Sequence, residues 1–133
     1  MTTQSPLAKK LLLKPGHRGA LVNPPADYLE RLQPLPEGAQ VETQLGSGLD
    51  FVQLFAKNSG ELAEYAPAAI RAVKPDGLLW VTYPKGGKKA GTDLNRDVLW
   101  ELMSRHGLAG VSLVAVDDTW SAMRFRPADQ VGR

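Results

Sequence analysis

The sequence predicts an α/β domain: a mostly parallel sheet of about six strands, helices on both faces, and an antiparallel hairpin at the C-terminal end. Three observations carry this. Short apolar runs alternate with helix-spaced stretches along the whole chain. Two of those runs, Asp50–Ala56 and Leu78–Tyr83, are nearly continuous in apolar residues, as strands covered on both faces require. The last two runs are separated only by Asp117-Asp118-Thr119, short enough for a hairpin.

Ser5 is placed to cap a first helix over Pro6–Leu13, with proline in its opening turn, and Lys14-Pro15-Gly16 ends it. Arg18–Val22 is a short strand. Asn23-Pro24-Pro25 breaks it and opens a second helix over Pro25–Leu32, capped near Asn23 or Pro24. Pro34, Pro36 and Gly38 form a rigid turn into a strand at Ala39–Gln44. After Asp50–Ala56, Ser59 caps a third helix reaching Val73. Its Leu62, Ala66, Ala69, Ile70 and Val73 fall on one face, and Pro67 inside it predicts a kink or break. Lys74-Pro75-Asp76-Gly77 reads as a turn before Leu78–Tyr83. A loop over 84–91 leads to a fourth helix, capped by Thr92 or Asp93 and ending at His106-Gly107. Strands at Gly110–Val116 and Trp120–Arg126 complete a single domain over 1–133, whose residues 1–16 are a helix and turn and whose tail, 127–133, is expected to fray.

Composition removes several functions. The chain has 133 residues, no cysteine and two histidines, His17 and His106, so disulfides, thiolate metal sites and a cysteine nucleophile are excluded and no metal ligand set is visible. The formal charge of +2 is too small for a dedicated nucleic-acid binder. No apolar run approaches the roughly 18–20 residues of a spanning helix. Basic residues (Lys9, Lys10, Lys14, Arg18) precede the first acid, Asp27, but Leu11–Leu13 is too short for a secretory core. The expectation is a solvated first helix on a cytoplasmic protein with no membrane partner.

In a parallel α/β sheet, ligands bind beyond the carboxyl ends of the strands where the winding reverses. Those ends supply Asn23, Gln44, Lys57 with Asn58, and Tyr83 with Lys85. The loop Pro84-Lys85-Gly86-Gly87-Lys88-Lys89-Ala90-Gly91-Thr92 adds three lysines and three glycines with no acid between Asp76 and Asp93. Backbone N–H groups and ammonium charges there suit an anion, though the spacing is not that of a P-loop. Lys85, beside Pro84, is the best-placed contact and Lys88 the next. Asp93, Arg96 and Asp97 are read as one helical turn with ion-pair support. Of Asp117 and Asp118, one is free to cap the hairpin turn or to pair with Lys85 or Arg96, and Trp120 is placed to wall the site. Trp80 and Trp100 are read as core. Ser59 and Ser121 lack a nucleophile elbow, so no catalytic residue is assigned.

The segment Asp50-Phe51-Val52 … Leu62 … Lys74-Pro75-Asp76-Gly77-Leu78-Leu79-Trp80-Val81 resembles the fourth strand, following helix and fifth strand of class I S-adenosylmethionine-dependent methyltransferases. The terminal hairpin over 110–126 resembles their closing strands, and the agreement covers about three quarters of the chain. The runs Trp80–Lys85, Thr92–Asp97 and Val116–Phe125 are further similar to a family of short bacterial proteins of unknown function. The resemblance implies a truncated, Rossmann-like domain. It also shows departures. The glycine-rich turn that cradles the cofactor is replaced by Val22-Asn23-Pro24-Pro25-Ala26-Asp27, which holds no glycine and lacks two N–H donors. Where those enzymes end their second strand in an acid that grips the ribose, this chain has Val41-Glu42-Thr43-Gln44-Leu45, with Glu42 read as mid-strand and Gln44 at the tip. One strand and its helices are missing before Asp50. Asn23-Pro24-Pro25 also resembles the Asn-Pro-Pro-Tyr motif of amino-group methyltransferases, but it follows the wrong strand and reads as a helix start.

Three functions stay open at this point. The first is a non-catalytic methyltransferase-like domain, acting as an interaction module or binding a small anionic ligand through the 84–92 loop. The second is a reduced S-adenosylmethionine-dependent methyltransferase with an atypical cofactor site. The third is weak nucleic-acid binding, disfavoured by the few aromatics beside the lysines. No cofactor is expected, S-adenosylmethionine being the one the resemblance would supply. Partners are a small anion, a protein, or a second copy joined through an exposed sheet edge.

Overall fold

In the computed structural model of the chain, residues 5–130 are described. Strands β1 (Arg18–Val22), β2 (Gln40–Glu42), β3 (Leu49–Phe55), β4 (Val73–Pro84), β5 (Leu108–Ala115) and β6 (Trp120–Pro127) form one sheet in the order β2-β1-β3-β4-β6-β5. The first four are parallel where they pair, and β6 runs antiparallel to both β4 and β5. This is the predicted mixed α/β, Rossmann-like sheet with its C-terminal hairpin. The chain leaves β1 to one side for β2 and returns to its other side for β3, so the winding reverses between the carboxyl ends of β1 and β3.

Among the described residues, four α-helices cover the sheet: α1 (Pro6–Lys10), α2 (Tyr28–Leu32), α3 (Ser59–Ala72) and α4 (Arg96–Ser104). Strand alternation splits the apolar residues between two cores. Val52, Leu54, Leu79, Val81, Met123 and Phe125 face α3 and α4 with Leu62, Ala69, Leu99 and Met103. Leu21, Phe51, Phe55, Trp80 and Ala122 face α1 and α2 with Ala8, Tyr28 and Leu32. Burying one such large side chain stabilises by about 1.5–3 kcal/mol. Strands β1 and β3 approach closely because Gly19 has no side chain: a Cβ there would stand 3.0 Å from the Phe51 carbonyl oxygen.

Several sequence expectations are corrected. Ser5 does cap α1, its Oγ accepting from Ala8 N at 3.0 Å, but the helix stops at Lys10. It is docked rather than solvated, because Ala8, Leu11 and Leu13 are fully buried and Trp80 Nε1 donates to the Leu11 carbonyl at 3.0 Å. Helix α2 starts only at Tyr28, since the two prolines and a left-handed Asp27 delay it. Asn58, not Ser59, caps α3, and that helix passes Pro67 without interruption, held on the sheet by Leu62, Ala66, Ala69 and Ala72. Residues 74–77 belong to β4 but bulge out of register: Leu49 pairs with Val73, and Phe51 next with Leu78. Asp76 takes φ +55° there and is clipped by Arg126, whose Nε and Nη2 donate to its two carboxylate oxygens at 2.8 Å. Helix α4 is capped by Asn95, whose Oδ1 accepts from Val98 N at 2.8 Å, and it ends at Ser104, short of His106. Trp100 is not core but 44% exposed, since it sits on the flank of α4 over Gly110 of the edge strand β5. At the C-terminal end β6 includes Pro127, and Ala128–Gln130 form a 3-10 turn. Residues 131–133 lie outside the described ones, as do residues 1–4.

Candidate functional site

The carboxyl ends of β1, β3, β4 and β5 share one edge of the sheet with the start of β6. Lys85 N donates to the Thr119 carbonyl at 2.8 Å, tying the lysine loop to the hairpin turn. The turn is fixed by Asp117, whose Oδ1 accepts from the N–H groups of Thr119 and Trp120, both at 2.8 Å. Its Oδ2 takes Arg31 at 2.7 Å, so the partner is Arg31 on α2 and not Lys85 or Arg96. Burial works to raise the Asp117 carboxyl, but the Trp120 N–H, the Arg31 guanidinium and the Thr119 N–H together hold it below the usual range.

At the winding reversal the chain bonds to itself. Asn23 adopts φ +58°, and its Nδ2 donates to Phe55 O and to Glu61 Oε1, both at 3.1 Å. Glu61 Oε1 also accepts from Lys57 N at 2.8 Å. Asn23 is thus a strut between the ends of β1 and β3 and the first turn of α3, and the prolines after it offer no N–H. The α3 N-terminus is served in the same way. Glu61 N donates to the capping Asn58 Oδ1 at 2.8 Å, and Asp93 accepts from Ser59 N at 2.8 Å and from the Ser59 hydroxyl. The hydroxyl and N–H of Ser59 hold the Asp93 carboxyl below its ordinary value. Asp93 therefore lies outside α4, and the anticipated turn with Arg96 and Asp97 does not include it. Thr92 is also internal: it is buried, and its Oγ1 accepts from Leu94 N at 3.0 Å.

Two clefts open beside these bonds. The larger, about 560 Å³, is lined by Lys57 and Asn58 after β3, Pro84 and Lys85 after β4, Gly91 of the loop, and Asp118 and Trp120 of the hairpin. Trp120 packs edge-to-face on Phe55 at 5.4 Å between ring centres, which fixes the wall it forms. The smaller, about 260 Å³, is lined by Tyr83, Lys85, Gly86, Arg96 and Ser121. Burial raises the Tyr83 hydroxyl, against the opposing pull of Arg96. Lys85 belongs to both. Lys88 is exposed on the 3-10 turn at Gly87–Ala90, which left-handed Gly86 and Gly91 bracket. No ion pair engages Lys57, Lys85 or Asp118 among the described residues, in contrast to Lys74 with Asp50 at 2.7 Å.

Five of the residues singled out in the sequence, Lys57, Asn58, Lys85, Asp118 and Trp120, converge on the larger cleft; Tyr83 and Arg96 line the smaller. Asn23, Thr92 and Asp93 hold the frame instead. Glu61 went unnoticed, although its position three residues after Asn58 is the spacing at which a helix cap is met by an acidic partner. Gly91 belongs to the glycine-bearing loop already noted, and Ser121 carries no signal of its own. Among the described residues, no three His, Asp or Glu side chains group as a metal site.

No protein-family model matches the chain, and no curated protein sequence does. Solved structures do. A SAM-dependent methyltransferase from Aquifex aeolicus superposes with a TM-score of 0.64 at 13% identity over 90% of this chain and 86% of that one. The N-methyltransferase NodS from Bradyrhizobium japonicum, in complex with S-adenosyl-L-homocysteine, gives 0.59 at 11% identity over 92% and 88%. The DhpI–SAH complex gives 0.58 at 12% identity over 92% and 83%. The fold is that of class I methyltransferases. This chain is a reduced example of it, with the six strands described above.

The cofactor named with those structures can be tested against these residues. β2 ends at Glu42, so the acid is at the strand's end and not mid-strand as the sequence suggested; it lies opposite Ala20, two residues short of the end of β1. The β1–α2 turn fits poorly: it has no glycine, two prolines, and an asparagine already bonded across the reversal.

Proposed function

We propose that this chain is a methyltransferase-fold domain that binds a small anionic ligand, such as a phosphate ester or a carboxylate, in the cleft between the ends of β3, β4 and β6. The observation that carries this reading is the convergence of Lys57 and Lys85, two ammonium groups free of ion pairs, on one cleft walled by Trp120. Asp118 on the same rim selects for a ligand that also offers a hydrogen-bond donor. The bonded turn at Asn23 supports a binding role over methyl transfer, because it spends on the fold the contacts a cofactor would need.

Thermal unfolding with pyrophosphate, S-adenosylmethionine and S-adenosylhomocysteine tests it. A ligand at a hundred times its Kd adds about 2.7 kcal/mol of stability. The expected result is an upward shift with pyrophosphate that Lys85→Glu and Lys57→Glu each remove. No shift at millimolar pyrophosphate, or one that survives both substitutions, overturns the reading. A second reading, methyl transfer with an atypical cofactor grip, is favoured by Glu42 at the end of β2. It requires S-adenosylmethionine to stabilise the chain and Glu42→Gln to cancel that effect.

A further inference from the structure

The two edges of the sheet are finished differently. β2, at one edge, is three residues long and exposes Gln40 and Glu42. β5, at the other, runs eight residues, Leu-Ala-Gly-Val-Ser-Leu-Val-Ala, with no charge and no proline. Edges commonly carry lysine, proline or inward charge because their unpaired backbone groups recruit further strands. The hairpin fixes which way those groups point. Val116 N donates to Trp120 O at 3.0 Å, so by the alternation of an antiparallel ladder Ser112 and Val114 bond to β6, and Leu113 and Ala115 turn their N–H and C=O away. Lys10 Nζ donates to the Ala115 carbonyl at 3.0 Å, which agrees with that direction and closes the end of the edge. The ladder therefore leaves the N–H and C=O of Leu113 without a partner on β6.

An apolar patch adjoins these groups. Trp100 on α4 is 44% exposed, Leu113 46% and Val111 37%. The Trp100 ring lies over Gly110, where a Cβ would come within 3.2 Å of it. Leu113 stands opposite Met123, which faces the α4 core, so Leu113 and Trp100 share one face of the sheet. Apolar surface contiguous with an open edge marks an interface.

We propose that β5 pairs antiparallel with β5 of a second copy of this chain, continuing the sheet across a two-fold axis. The unpaired groups require an extended strand as occupant, and an uncharged strand has nothing to repel its twin. An axis perpendicular to the sheet sets both α4 helices on the same face, so Trp100 and Leu113 of the two copies cover the seam together. The register shift between Gly110 and Ser112 leaves Ser112–Val114 as the regular stretch at the centre of the pairing.

The full chain is examined by sedimentation and light scattering from about 1 to about 100 μM, a range that brackets a micromolar Kd. Intrinsic fluorescence is followed in parallel: Trp80 and Trp120 are 1% and 9% exposed, so a concentration-dependent blue shift reports Trp100. A dimer and a blue shift are expected. Leu113→Lys sets like charges across the seam and weakens association by roughly a hundredfold, with the fold of the monomer kept because the side chain is exposed. Trp100→Gln weakens it and abolishes the blue shift. A chain that stays monomeric at the top of the range overturns the proposal, as does a dimer indifferent to both substitutions. Should Leu113→Lys lose its near-UV circular dichroism, Trp100→Gln decides alone. Pyrophosphate binding is unaffected in either variant, which separates this proposal from the ligand site.

Discussion

Tyr28→Phe is the substitution from which the structure permits the most. The Tyr28 hydroxyl donates to Gln53 Oε1 at 2.9 Å, and Gln53 Nε2 donates to Thr82 Oγ1 at 2.9 Å. This polar chain lies on the α2 face of the sheet, where the Tyr28 ring packs edge-to-face on Phe55 at 4.6 Å, with Gln53 and Thr82 at 0% exposure and Tyr28 at 1%. Burial raises the Tyr28 hydroxyl well above the ordinary tyrosine range, against the pull of Gln53, so it acts as a donor at every working pH. Removing it leaves Gln53 Oε1 dry and unpaired. An orphaned buried acceptor costs about 1–3 kcal/mol. For a domain of this size about 2 kcal/mol lowers Tm by about 8 °C. Replacing all three partners, as Tyr28→Phe with Gln53→Met and Thr82→Val, leaves no orphan and restores most of the loss. Urea unfolding of the single, double and triple variants is the assay. A Tyr28→Phe variant as stable as the parent refutes the reasoning, and so does a triple variant whose losses simply add.

Other outcomes follow from features already described. Asn23→Ala loses two hydrogen bonds and keeps a left-handed backbone, for a cost of about 2 kcal/mol in urea unfolding, and Asn23→Gly recovers only the backbone share. Gly77→Ala sets a Cβ 2.8 Å from Val73 Cγ2 and 3.1 Å from the Lys74 carbonyl, so the bulge must shift; a loss of about 1–3 kcal/mol in thermal unfolding is expected. Four carboxyls titrate below their usual value of 3.8: Asp50 through Lys74 and the Arg18 N–H, Asp76 through Arg126, Asp93 through Ser59, and Asp117 as described. A depressed folded pKa gives stability that is complete above the unfolded value and is lost as pH falls through the folded one. Unfolding free energy should therefore be level from these groups above about pH 5 and drop below about pH 4, and Asp76→Asn should flatten that drop.

The strands were the most legible part of the sequence. Phe51–Phe55 and Leu78–Tyr83 carry apolar residues on both faces, broken only by Gln53 and Thr82, because both faces are covered, and that pattern needs no knowledge of the neighbours. Helix starts were less legible. Thr92, Asp93 and Asn95 are all competent caps, and the choice fell to Asn95 because Asp93 was drawn to Ser59, 34 residues away in the chain. The Lys74–Gly77 turn reads correctly as local chemistry, yet Arg126 holds it within the β4 strand as a bulge. Trp100 reads as core by type alone, and its exposure follows from its place over β5, the last strand of the sheet, beyond which no described residue covers it. Of the candidate site, the placement of Lys57, Lys85 and Trp120 around one cleft is readable from strand ends and loop composition. Asn23 was seen as a position, but its role as a strut was not, since nothing local announces that Phe55 and Glu61 will come within its reach.

The contacts of α1 constrain the order in which the chain can assemble. Leu11 waits for Trp80, 69 residues later, and Lys10 for Ala115, 105 residues later. On a ribosome the first helix emerges with α2 soon behind it, but its bonds to Trp80 and Ala115 close only when β4 and the hairpin have left the exit tunnel. Until then Leu11 and Leu13 are bare, and chaperones that hold apolar nascent segments have a window in which to act.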